Sequence, residues 1–498
     1  MKKYIYVPTW RTIWLDLAIK LKEKNIASPS IYLSSDINLE KINKHFKKSK
    51  FINFHKINKW NYSIDWSKVN INNSSLYSII EDSDFREFKE KSINLMNRQD
   101  MYWFYRLIDR ESIFYDILLY LFNEISNKKI DFAIFCEAPH SPATFITYHL
   151  SEKLWIKTYV FNSCSLAPII FLRQSIKWDY LTAPKNISKN NFIEKNIDDD
   201  ITTFYNKTKK NTNEVFEPQY MIDQKKSDLK KIKPILKNIN WLYHTIIWNN
   251  NNTYFFSISW FNKKINLKDW ILTYLLRKKY SKYLNKNLCK NSINYIDFNE
   301  KYVYFPLHYE PERTSNPEWG KFFNQIESII ALRTLLPNNI KIYVKEHYSQ
   351  ITTILQWFRW RSLYFYDIIN KLENVYLIGV NNDSKKLIEN SQFTCSLTWT
   401  AVIESVLSWK PWIFMWEPWY ETLSPFTKFN NDIDIEKLIN KKIDKAKTLE
   451  LIKEFISDKW VFWTINPSEE KYYNHYYNNE SKKNELDNLV KFISNYIK

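Results

Sequence analysis

Strand-like and helix-like stretches alternate in two separate parts of the chain. In the first part, residues 3–7 form an apolar, strand-like run, residues 15–23 have the periodicity of an amphipathic helix, and residues 30–33 are again strand-like. The alternation recurs at residues 131–135 and 156–161, which flank a helical stretch. Strands separated by single helices predict β-α-β units, and therefore a parallel sheet.

The alternation returns after residue 295. The strand-like runs of this second part are residues 302–306, 341–345, 374–378, 393–396 and 413–415, and a helical pattern lies between each run and the next. This pattern predicts a second parallel sheet. The predicted fold class is α/β, GT-B-like, with two Rossmann-like, doubly wound lobes joined end to end.

The rest of the chain lacks this alternation. Residues 186–295 are rich in lysine and asparagine and are predicted to form a helical insert, and residues 433–498 a helical C-terminal tail. Residues 44–73 are interpreted as an irregular polar segment. The predicted domains are therefore an N-terminal Rossmann-like lobe (1–185), the insert, a C-terminal Rossmann-like lobe (296–432) and the tail.

Composition narrows the classes of protein that fit. No run approaches the roughly eighteen apolar residues of a membrane span, and the apolar stretch at the N-terminus is too short for a signal peptide. A cytoplasmic protein is therefore predicted. The four cysteines lie far apart and form no C-x-x-C pair, so neither a disulfide framework nor a zinc site is predicted.

The net charge of +18 fits an anionic partner such as nucleotide phosphates, an acidic membrane face or nucleic acid. The lysines are, however, scattered among asparagines, and the abundant Lys, Asn, Ile, Phe and Tyr all have AT-rich codons. We attribute most of the charge to this coding bias. No nucleic-acid partner is predicted, because basic and aromatic residues do not interleave along one face. Peripheral contact with the cytoplasmic face of the inner membrane remains open.

Glycine is nearly absent from the chain. There are two glycines, where an average chain of this length would have about 35 at roughly 7%, and there are 21 tryptophans. AT-rich coding does not produce tryptophan, whose usual codon is UGG. A second cause is therefore needed for the tryptophans.

Several tryptophans stand where a backbone needs glycine. Trp155 and Trp409 each follow a helical run, at the position where a left-handed residue is usual, and Trp10 and Trp14 flank the turn after the first strand-like run. We interpret many of these positions as UGA codons that the source organism reads as glycine. The alternative is a chain that is genuinely rich in tryptophan.

Two polar clusters follow strand-like runs of the second part. One contains His308 and Glu312 and comes after residue 306, and the other contains Lys345 and His347, at the end of residues 341–345. Ligands bind beyond the carboxyl ends of the strands in an open parallel sheet. The clusters therefore predict a binding site, although lysine and histidine also occur at strand ends without a ligand.

A third cluster, at residues 396–404, joins a strand to a helix. The hydroxyl groups of Ser396, Thr398 and Thr400, with the free N–H groups of a helix N-terminus, suit a phosphate. Glu404 lies one helical turn beyond Thr400, where its carboxylate can reach a ribose hydroxyl. The simpler alternative is helix capping by Thr398 or Thr400.

Residues 302–420 resemble the capsule-polysaccharide biosynthesis family, which includes bacterial Kdo transferases of the GT-B type. The resemblance rests on the ordered motifs FPLHYEPE at 305–312, YVKEH at 343–347, and SLTWTA at 396–401 followed by Glu404. The chain departs from the family at Tyr348, where relatives have proline. It also departs at Trp399, Trp409 and Trp416, where they have glycine, and this supports the interpretation of recoded codons.

The resemblance implies a glycosyltransferase that uses a nucleotide-sugar donor, for which CMP-Kdo is the best-known case, and a glycan or glycolipid acceptor. It implies that Lys345 and His347 contact the donor phosphate, and that the hydroxyls of the third cluster hold the leaving nucleotide. His308 is assigned to catalysis, and Glu312 and Glu404 to substrate binding. No metal or other cofactor is expected, because cations and helix dipoles would stabilise the departing phosphate.

The acceptor hydroxyl also needs a base, which we expect from the N-terminal lobe. The candidates are Glu137 and His140, just beyond residues 131–135, and similar Pro-His turns occur in relatives of this family. Alternatively, Glu137 caps the following helix and His140 is only a turn residue. Two other functions fit the same fold: a nucleotide-sugar epimerase and a noncatalytic polysaccharide-assembly protein.

Overall fold

The computed structural model describes residues 1–8, 13–36, 39–58, 74–97, 106–163, 169–176, 180–184, 199, 202, 267–310, 320–352, 361–396, 410–415, 426–459, 461–462 and 479–497. The chain divides into two compact units. Unit 1 comprises Met1–Asn206 and Leu449–Lys498, and unit 2 comprises Lys207–Thr448. Unit 1 is therefore built from both ends of the chain, whereas unit 2 is one continuous stretch.

Unit 1 contains a seven-stranded sheet with the spatial order β14-β6-β5-β4-β1-β2-β3. The strands are β1 (Lys2–Val7), β2 (Ala27–Ser34), β3 (Lys50–Asn53), β4 (Phe132–Phe135), β5 (Lys157–Ser163), β6 (Ile169–Gln174) and β14 (Val461–Phe462). The first five are parallel, β6 pairs antiparallel with β5, and β14 pairs antiparallel with β6. The strand order reverses between β1 and β4, which is the switch point of a Rossmann-like sheet.

Helices connect these strands and cover the sheet of unit 1. They are α1 (Ile13–Glu23), α2 (Leu39–His45), α3 (Phe54–Asn58), α4 (Ser74–Glu81), α5 (Phe85–Met96), α6 (Leu107–Ser126), α7 (Pro142–Lys153) and α15 (Asn479–Ile497). Apolar side chains of α1 and α15 are buried in the same core cluster as strand residues Tyr4 and Phe161. The C-terminal segment is therefore part of this core.

Unit 2 contains a second seven-stranded sheet, with the spatial order β13-β12-β11-β8-β9-β10-β7. Its strands are β7 (Ser292–Ile293), β8 (Tyr302–Pro306), β9 (Lys341–Lys345), β10 (Val375–Ile378), β11 (Phe393–Ser396), β12 (Trp412–Phe414) and β13 (Phe426–Lys428). Each neighbouring pair is parallel. Counted from β8, the order is that of a Rossmann fold, and it reverses between β8 and β11.

The helices of unit 2 alternate with its strands. They are α8 (Leu267–Asn291), α9 (Gln325–Leu335), α10 (Tyr348–Thr352), α11 (Phe365–Asn370), α12 (Ser384–Asn390) and α13 (Ile435–Ile439), and α14 (Lys445–Lys459) spans the boundary between the units. Strand residues such as Val303 and Ile342 pack with helix residues such as Ile329 and Ile369 in one core. Within the described ranges, no helix has both the length and the apolar composition to cross a membrane.

The two sheets confirm the predicted fold class, α/β with two Rossmann-like lobes. The prediction of an irregular segment at residues 44–73 is wrong in its first part, because residues 50–53 form β3 and residues 54–58 form α3. Four residues are too few to show a clear period in sequence, and β3 becomes a strand by pairing with β2. The predicted helical tail also contains a short strand, β14.

Helix α7 ends on a left-handed residue, as predicted. Trp155 has φ 57° and its side chain is 93% exposed. Its N–H donates to the carbonyl of Glu152 at 3.1 Å, and the N–H of Ile156 donates to that of Ser151 at 2.9 Å. This is the hydrogen-bond pattern of a Schellman motif, in which glycine is the usual left-handed residue.

Trp14, which was predicted to flank the turn after the first strand, is the second residue of α1. It lies inside α1, is fully buried, and packs against Phe161 with the ring centroids 5.3 Å apart. The argument for glycine at a turn therefore does not extend to Trp14. Trp10, Trp399, Trp409 and Trp416 lie outside the described residues.

Candidate functional site

A hydrogen bond joins two predicted site residues at the switch point of unit 2. His308 follows β8 and Ser396 ends β11, the two strands between which the strand order reverses. The Nε2 atom of His308 lies 2.6 Å from the Oγ atom of Ser396. Because both side chains lie at carboxyl ends of parallel strands, they occupy the edge where such sheets bind ligands.

The backbone around His308 is held by two buried glutamines. Gln325, the first residue of α9, accepts from the N–H of His308 at 2.8 Å and donates to its carbonyl at 3.2 Å. The same amide donates to the Glu310 carboxylate at 2.9 Å, and the Gln350 side chain accepts from the N–H of Glu310 at 2.8 Å. These bonds fix the path of residues 308–310 beyond β8.

A buried ion pair lies beside these residues. Arg361 and Glu346 are joined by two bonds, Nε to Oε2 at 2.9 Å and Nη2 to Oε1 at 3.1 Å, and their side chains are 2% and 0% exposed. Tyr366 donates to Glu346 Oε2 at 2.6 Å, and Glu346 Oε1 accepts from the N–H of His347 at 2.8 Å. Arg361 Nη2 also donates to the carbonyl of His308 at 2.9 Å. The pair thus connects the segments that follow β8 and β9.

Lys345 and His347 lie at the end of β9, next to β8. The Nζ atom of Lys345 donates to Ser384 Oγ at 2.7 Å and to the carbonyl of Asn382, in the turn between β10 and α12. The ring of His347 lies 5.9 Å from the ring of Tyr309, at an angle of 45°. Lys345 therefore holds a defined position at the carboxyl edge of the sheet.

Both histidines of this site are held in the neutral form. Burial, the nearby His347 and the charge of Arg361 lower the pKa of His308 from 6.5 to about 3. Burial also lowers the pKa of His347 to about 4, with help from Arg361 and Lys345 and against the opposing charge of Glu346. Near neutral pH, both rings therefore act as uncharged hydrogen-bonding groups.

The arrangement suits a polar ligand that carries an anionic group. The Arg361 charge is compensated by Glu346, and Lys345 bonds to Ser384 and to the carbonyl of Asn382 at the strand ends. Neutral imidazoles can donate to or accept from sugar and phosphate oxygens. Among the described residues, no group of three or more His, Cys, Asp and Glu side chains is arranged to hold a metal ion.

The base candidates of unit 1 lie in the turn that follows β4, at the switch point of that sheet. His140 Nδ1 is 2.9 Å from the carbonyl of Ala138, to which it can only donate, so the neutral ring keeps its lone pair on Nε2. Glu137 Oε1 is 3.9 Å from His140 Nδ1, and the two side chains are 32% and 37% exposed. A partly exposed imidazole with this tautomer can accept a proton.

Ser141 caps the helix that follows, so Glu137 is not needed as its cap. The Ser141 and Thr144 side chains each accept from the backbone N–H of the other, which is a capping box. The N–H of Ala143 donates to Asn58 Oδ1 at 2.9 Å. Helix α3, which contains Asn58 and which the sequence pattern missed, therefore helps to position this turn.

The structure brings some predicted site residues together and leaves others outside its described part. His308, Lys345, His347 and Ser396 lie at adjacent strand ends of unit 2, and Glu137 and His140 lie together in unit 1. Glu312, Thr398, Thr400 and Glu404 fall outside the described residues. Sequence analysis did not single out Gln325, Gln350, Arg361 or Tyr366, because a buried polar partner far along the chain leaves no local pattern.

No protein-family model matches the chain, and no curated protein matches it in sequence. Among solved structures it is similar to the β-Kdo 2,7-transferase KpsC from Thermosulfurimonas dismutans, with 11% identity, 92% of this chain and 99% of that chain covered, and a TM-score of 0.26. It is also similar to the UDP-GlcNAc 2-epimerase from Methanocaldococcus jannaschii, with 12% identity, coverage of 92% and 99%, and a TM-score of 0.24. TM-scores this low do not establish a common fold, so the fold class rests on the strand order of the two sheets.

Proposed function

We propose that this protein is a glycosyltransferase that moves a sugar from a nucleotide-sugar donor, CMP-Kdo-like or a nucleoside diphosphate sugar, to a surface-polysaccharide precursor. The observation that carries the proposal is the contact between His308 and Ser396 at the switch point of unit 2. Rossmann-like sheets bind nucleotides at this point. The motif resemblance of residues 302–420 to capsule-polysaccharide biosynthesis proteins supports the reaction class.

In the proposed reaction, the acceptor oxygen bonds to the anomeric carbon while the bond from that carbon to the phosphate oxygen breaks. The nucleotide leaves with the electron pair and gains negative charge, which Lys345 and the N–H groups of the helix predicted from sequence after Ser396 would stabilise without a metal. His347 and the hydroxyls of Ser396, Thr398 and Thr400 would orient the phosphates.

The remaining proposed roles concern the sugar and the acceptor. His308 would act at the reacting centre, and Glu312 and Glu404 would bind donor hydroxyls. Glu137 or His140 would take the proton of the acceptor hydroxyl. A precursor held on a glycolipid would bring the enzyme to the cytoplasmic face of the inner membrane, which cell fractionation tests directly.

Two lysines of one strand give a matched test of donor binding. Lys345 ends β9 beside the site, and Lys341 begins the same strand and pairs with Glu300 at 2.5 Å. We expect Lys345→Ala to weaken CMP or UDP binding by about tenfold or more, because it removes a positive charge from the strand ends where the phosphate is proposed to bind. Lys341→Ala should leave affinity unchanged in isothermal titration calorimetry. Equal affinities of both variants would contradict the assignment of Lys345.

Incubation with the nucleotide-sugar donor alone distinguishes a glycosyltransferase from an epimerase. We expect a nucleotide sugar incubated with the purified protein to remain unchanged until a glycan or glycolipid acceptor is added, and then to release free nucleotide. Formation of an isomeric nucleotide sugar without acceptor, seen by NMR, would show an epimerase instead. Nucleotide binding without either reaction would favour a noncatalytic assembly protein.

We also propose that several tryptophans of this sequence are glycines in the natural protein. The left-handed backbone at Trp155 supports this, as does Trp412, a fully buried residue of β12 whose indole N–H has no hydrogen-bond partner in the described part of the chain. An unsatisfied buried donor costs about 1–3 kcal/mol. Inspection of the gene tests the proposal: UGA codons at positions 155, 399 and 409 would support it, and UGG codons there would overturn it.

A further inference from the structure

The ion pair of Glu346 and Arg361 also bonds to the segments that follow β8 and β9. Besides the two bonds between them, Glu346 accepts from the N–H of His347, and Arg361 donates to the carbonyl of His308. Both contacts are made to backbone atoms of the two candidate site histidines. Neither member of the pair is accessible to a ligand, since their side chains are 0% and 2% exposed.

We propose that Glu346 and Arg361 are positioning residues: they fix the backbone beyond β8 and β9 and thereby hold the rings of His308 and His347 where the donor is bound. This inference rests on the proposed function, because the same strand ends are the candidate donor site. Tyr366 completes the arrangement through its bond to Glu346.

The geometry of arginine explains why this residue type is used. A guanidinium group has donors on several edges, so Arg361 bonds to the carboxylate through Nε and Nη2 while Nη2 also reaches the His308 carbonyl. Its Cζ atom lies 4.5 Å from the ring centroid of Phe365, the first residue of α11. One side chain thus joins α11 to both strand-end segments, in a planar arrangement of donors that the ammonium group of lysine does not reproduce.

A buried ion pair of this kind contributes little to the free energy of folding. Desolvation of two charges offsets their attraction, and well-packed apolar side chains of similar volume are often at least as stabilising. Removal of only one partner, in contrast, leaves a buried uncompensated charge. A positioning role and a purely structural role therefore make different predictions when the whole group is replaced by apolar residues.

Two variants separate these roles. The triple variant Glu346→Leu, Arg361→Met, Tyr366→Phe removes the ion pair and the Tyr366 hydroxyl together, and its melting temperature shows whether it still folds. Arg361→Lys keeps the positive charge but loses the planar arrangement of N–H donors that bonds to the carboxylate through two nitrogen atoms. Glu300→Gln, which removes the partner of Lys341 at the start of β9, is the control for loss of an ion pair in the same unit.

The first measurement is the titration of histidine rings by NMR with histidine-labelled protein, in which His308→Gln and His347→Gln assign the two signals among the eight histidines. In the unmodified chain we expect these rings to stay neutral down to about pH 4. In Arg361→Lys, which keeps the charge that itself lowers both pKa values, we expect both rings to titrate nearer to about pH 6.5, because displacement exposes them to water. The control variant should keep the original titration.

The second measurement is CMP and UDP binding by calorimetry. We expect a loss of about tenfold or more in the triple variant and in Arg361→Lys, because small displacements of binding groups cost large factors. Unchanged histidine titration and unchanged affinity in the folded variants would overturn the inference. If the triple variant does not fold, Arg361→Lys decides by the same criteria.

The two measurements keep this inference distinct from the proposed function. If the unmodified chain binds neither nucleotide, the proposed function fails, and the histidine titration alone decides whether the ion pair positions the rings. If nucleotide binds and the variants change neither readout, the function stands and the positioning role is wrong.

Discussion

At the scale of single residues, two helices end in the same pattern of hydrogen bonds but have different residues at the left-handed position. Helix α1 ends with Asn25 at φ 56°, and α7 ends with Trp155 at φ 57°. In α1, the N–H of Asn25 donates to Lys22 at 2.9 Å and that of Ile26 to Leu21 at 3.0 Å, the same Schellman pattern as in α7. Asparagine tolerates this backbone, whereas a large side chain is strained there.

The comparison of Asn25 with Trp155 predicts that one substitution stabilises the protein. Trp155→Gly should raise the free energy of unfolding by about 1 kcal/mol, because it relieves a left-handed non-glycine residue and removes no buried contact. Asn25→Gly, at the matching position of α1, should change it by a few tenths at most. Urea denaturation measures both. A Trp155→Gly variant no more stable than Asn25→Gly would count against strain at position 155.

The two neutral histidines of unit 2 predict how stability depends on pH. Their folded pKa values, about 3 for His308 and about 4 for His347, lie below the value of about 6.5 in an unfolded chain. Between these limits the unfolded chain binds more protons than the folded one, so stability is lost as the pH falls from about 6.5 towards 4. The melting temperature should decrease over this window.

Replacement of the two histidines separates their effect on the pH dependence of stability from the effect of titrating Asp and Glu side chains. The double variant His308→Gln, His347→Gln should have a flatter dependence of melting temperature on pH between about 6.5 and 5. His45→Gln in α2 is the control for loss of a histidine elsewhere. An identical slope in the double variant and the unmodified chain would show that the two rings are not held neutral.

At the scale of secondary structure elements, the last helix stabilises the first unit. Leu489, Val490, Phe492, Ile493 and Ile497 of α15 are at most 3% exposed and belong to the core of unit 1. The Asp487 carboxylate accepts a salt bridge from Lys20 at 3.0 Å and one from Lys24 at 2.7 Å, near the end of α1. Helix α15 is thus an integral layer of this unit.

Single substitutions in α15 should therefore destabilise unit 1 according to burial. Phe492→Ala should lower the free energy of unfolding by about 3–5 kcal/mol, since it leaves a cavity beside α1 and the sheet. Lys491→Ala, next to it on the exposed face, should have little effect. Chemical denaturation followed by circular dichroism compares them. Equal effects would mean that α15 does not pack as described.

The sequence pattern predicted those strands that are visible as short apolar runs within their own segment. The strands β1, β4, β8, β9 and β11 are short apolar runs between helices, and each was predicted within a few residues. Strands β3, β6 and β14 were missed because each is defined by its partner: β3 by β2, β6 by β5 and β14 by β6. Strand pairing between distant segments has no local signature.

The candidate site was likewise predicted only in part from the sequence. His308, Lys345, His347 and Ser396 could be found because ligand sites lie beyond strand ends, which the pattern locates. Arg361 and Gln325 could not, since their relevance arises only from contacts with His308 in the folded chain. Buried polar networks of this kind are specified by tertiary packing rather than by spacing in sequence.

At the scale of the whole molecule, the two units differ in how the chain builds them. Unit 2 is one stretch, Lys207–Thr448, and unit 1 combines Met1–Asn206 with Leu449–Lys498. The returning segment supplies the edge strand β14 and the helix α15. Loss of the C-terminal segment should therefore damage the unit that lies first in sequence.

Truncation after Thr448 tests this organisation. We expect backbone amides of β1, β4 and β5 to lose protection in hydrogen exchange followed by mass spectrometry, because the unit 1 core loses the apolar face of α15. Amides of β8, β9 and β11 in unit 2 should remain protected. Protection that is retained in unit 1, or lost equally in both units, would contradict the assignment of the C-terminal segment.

The antiparallel strand β14 also sets the order in which a ribosome can complete the two units. Domains usually fold during synthesis from the N-terminus onward. Here the described strands of the second sheet have all emerged by residue 428, whereas the first sheet waits for residues 461–462 and its core for residues 479–497. The half that is translated first is thus finished last, and until residues 461–462 have emerged the nascent chain presents an open sheet edge at β6 for chaperones to protect.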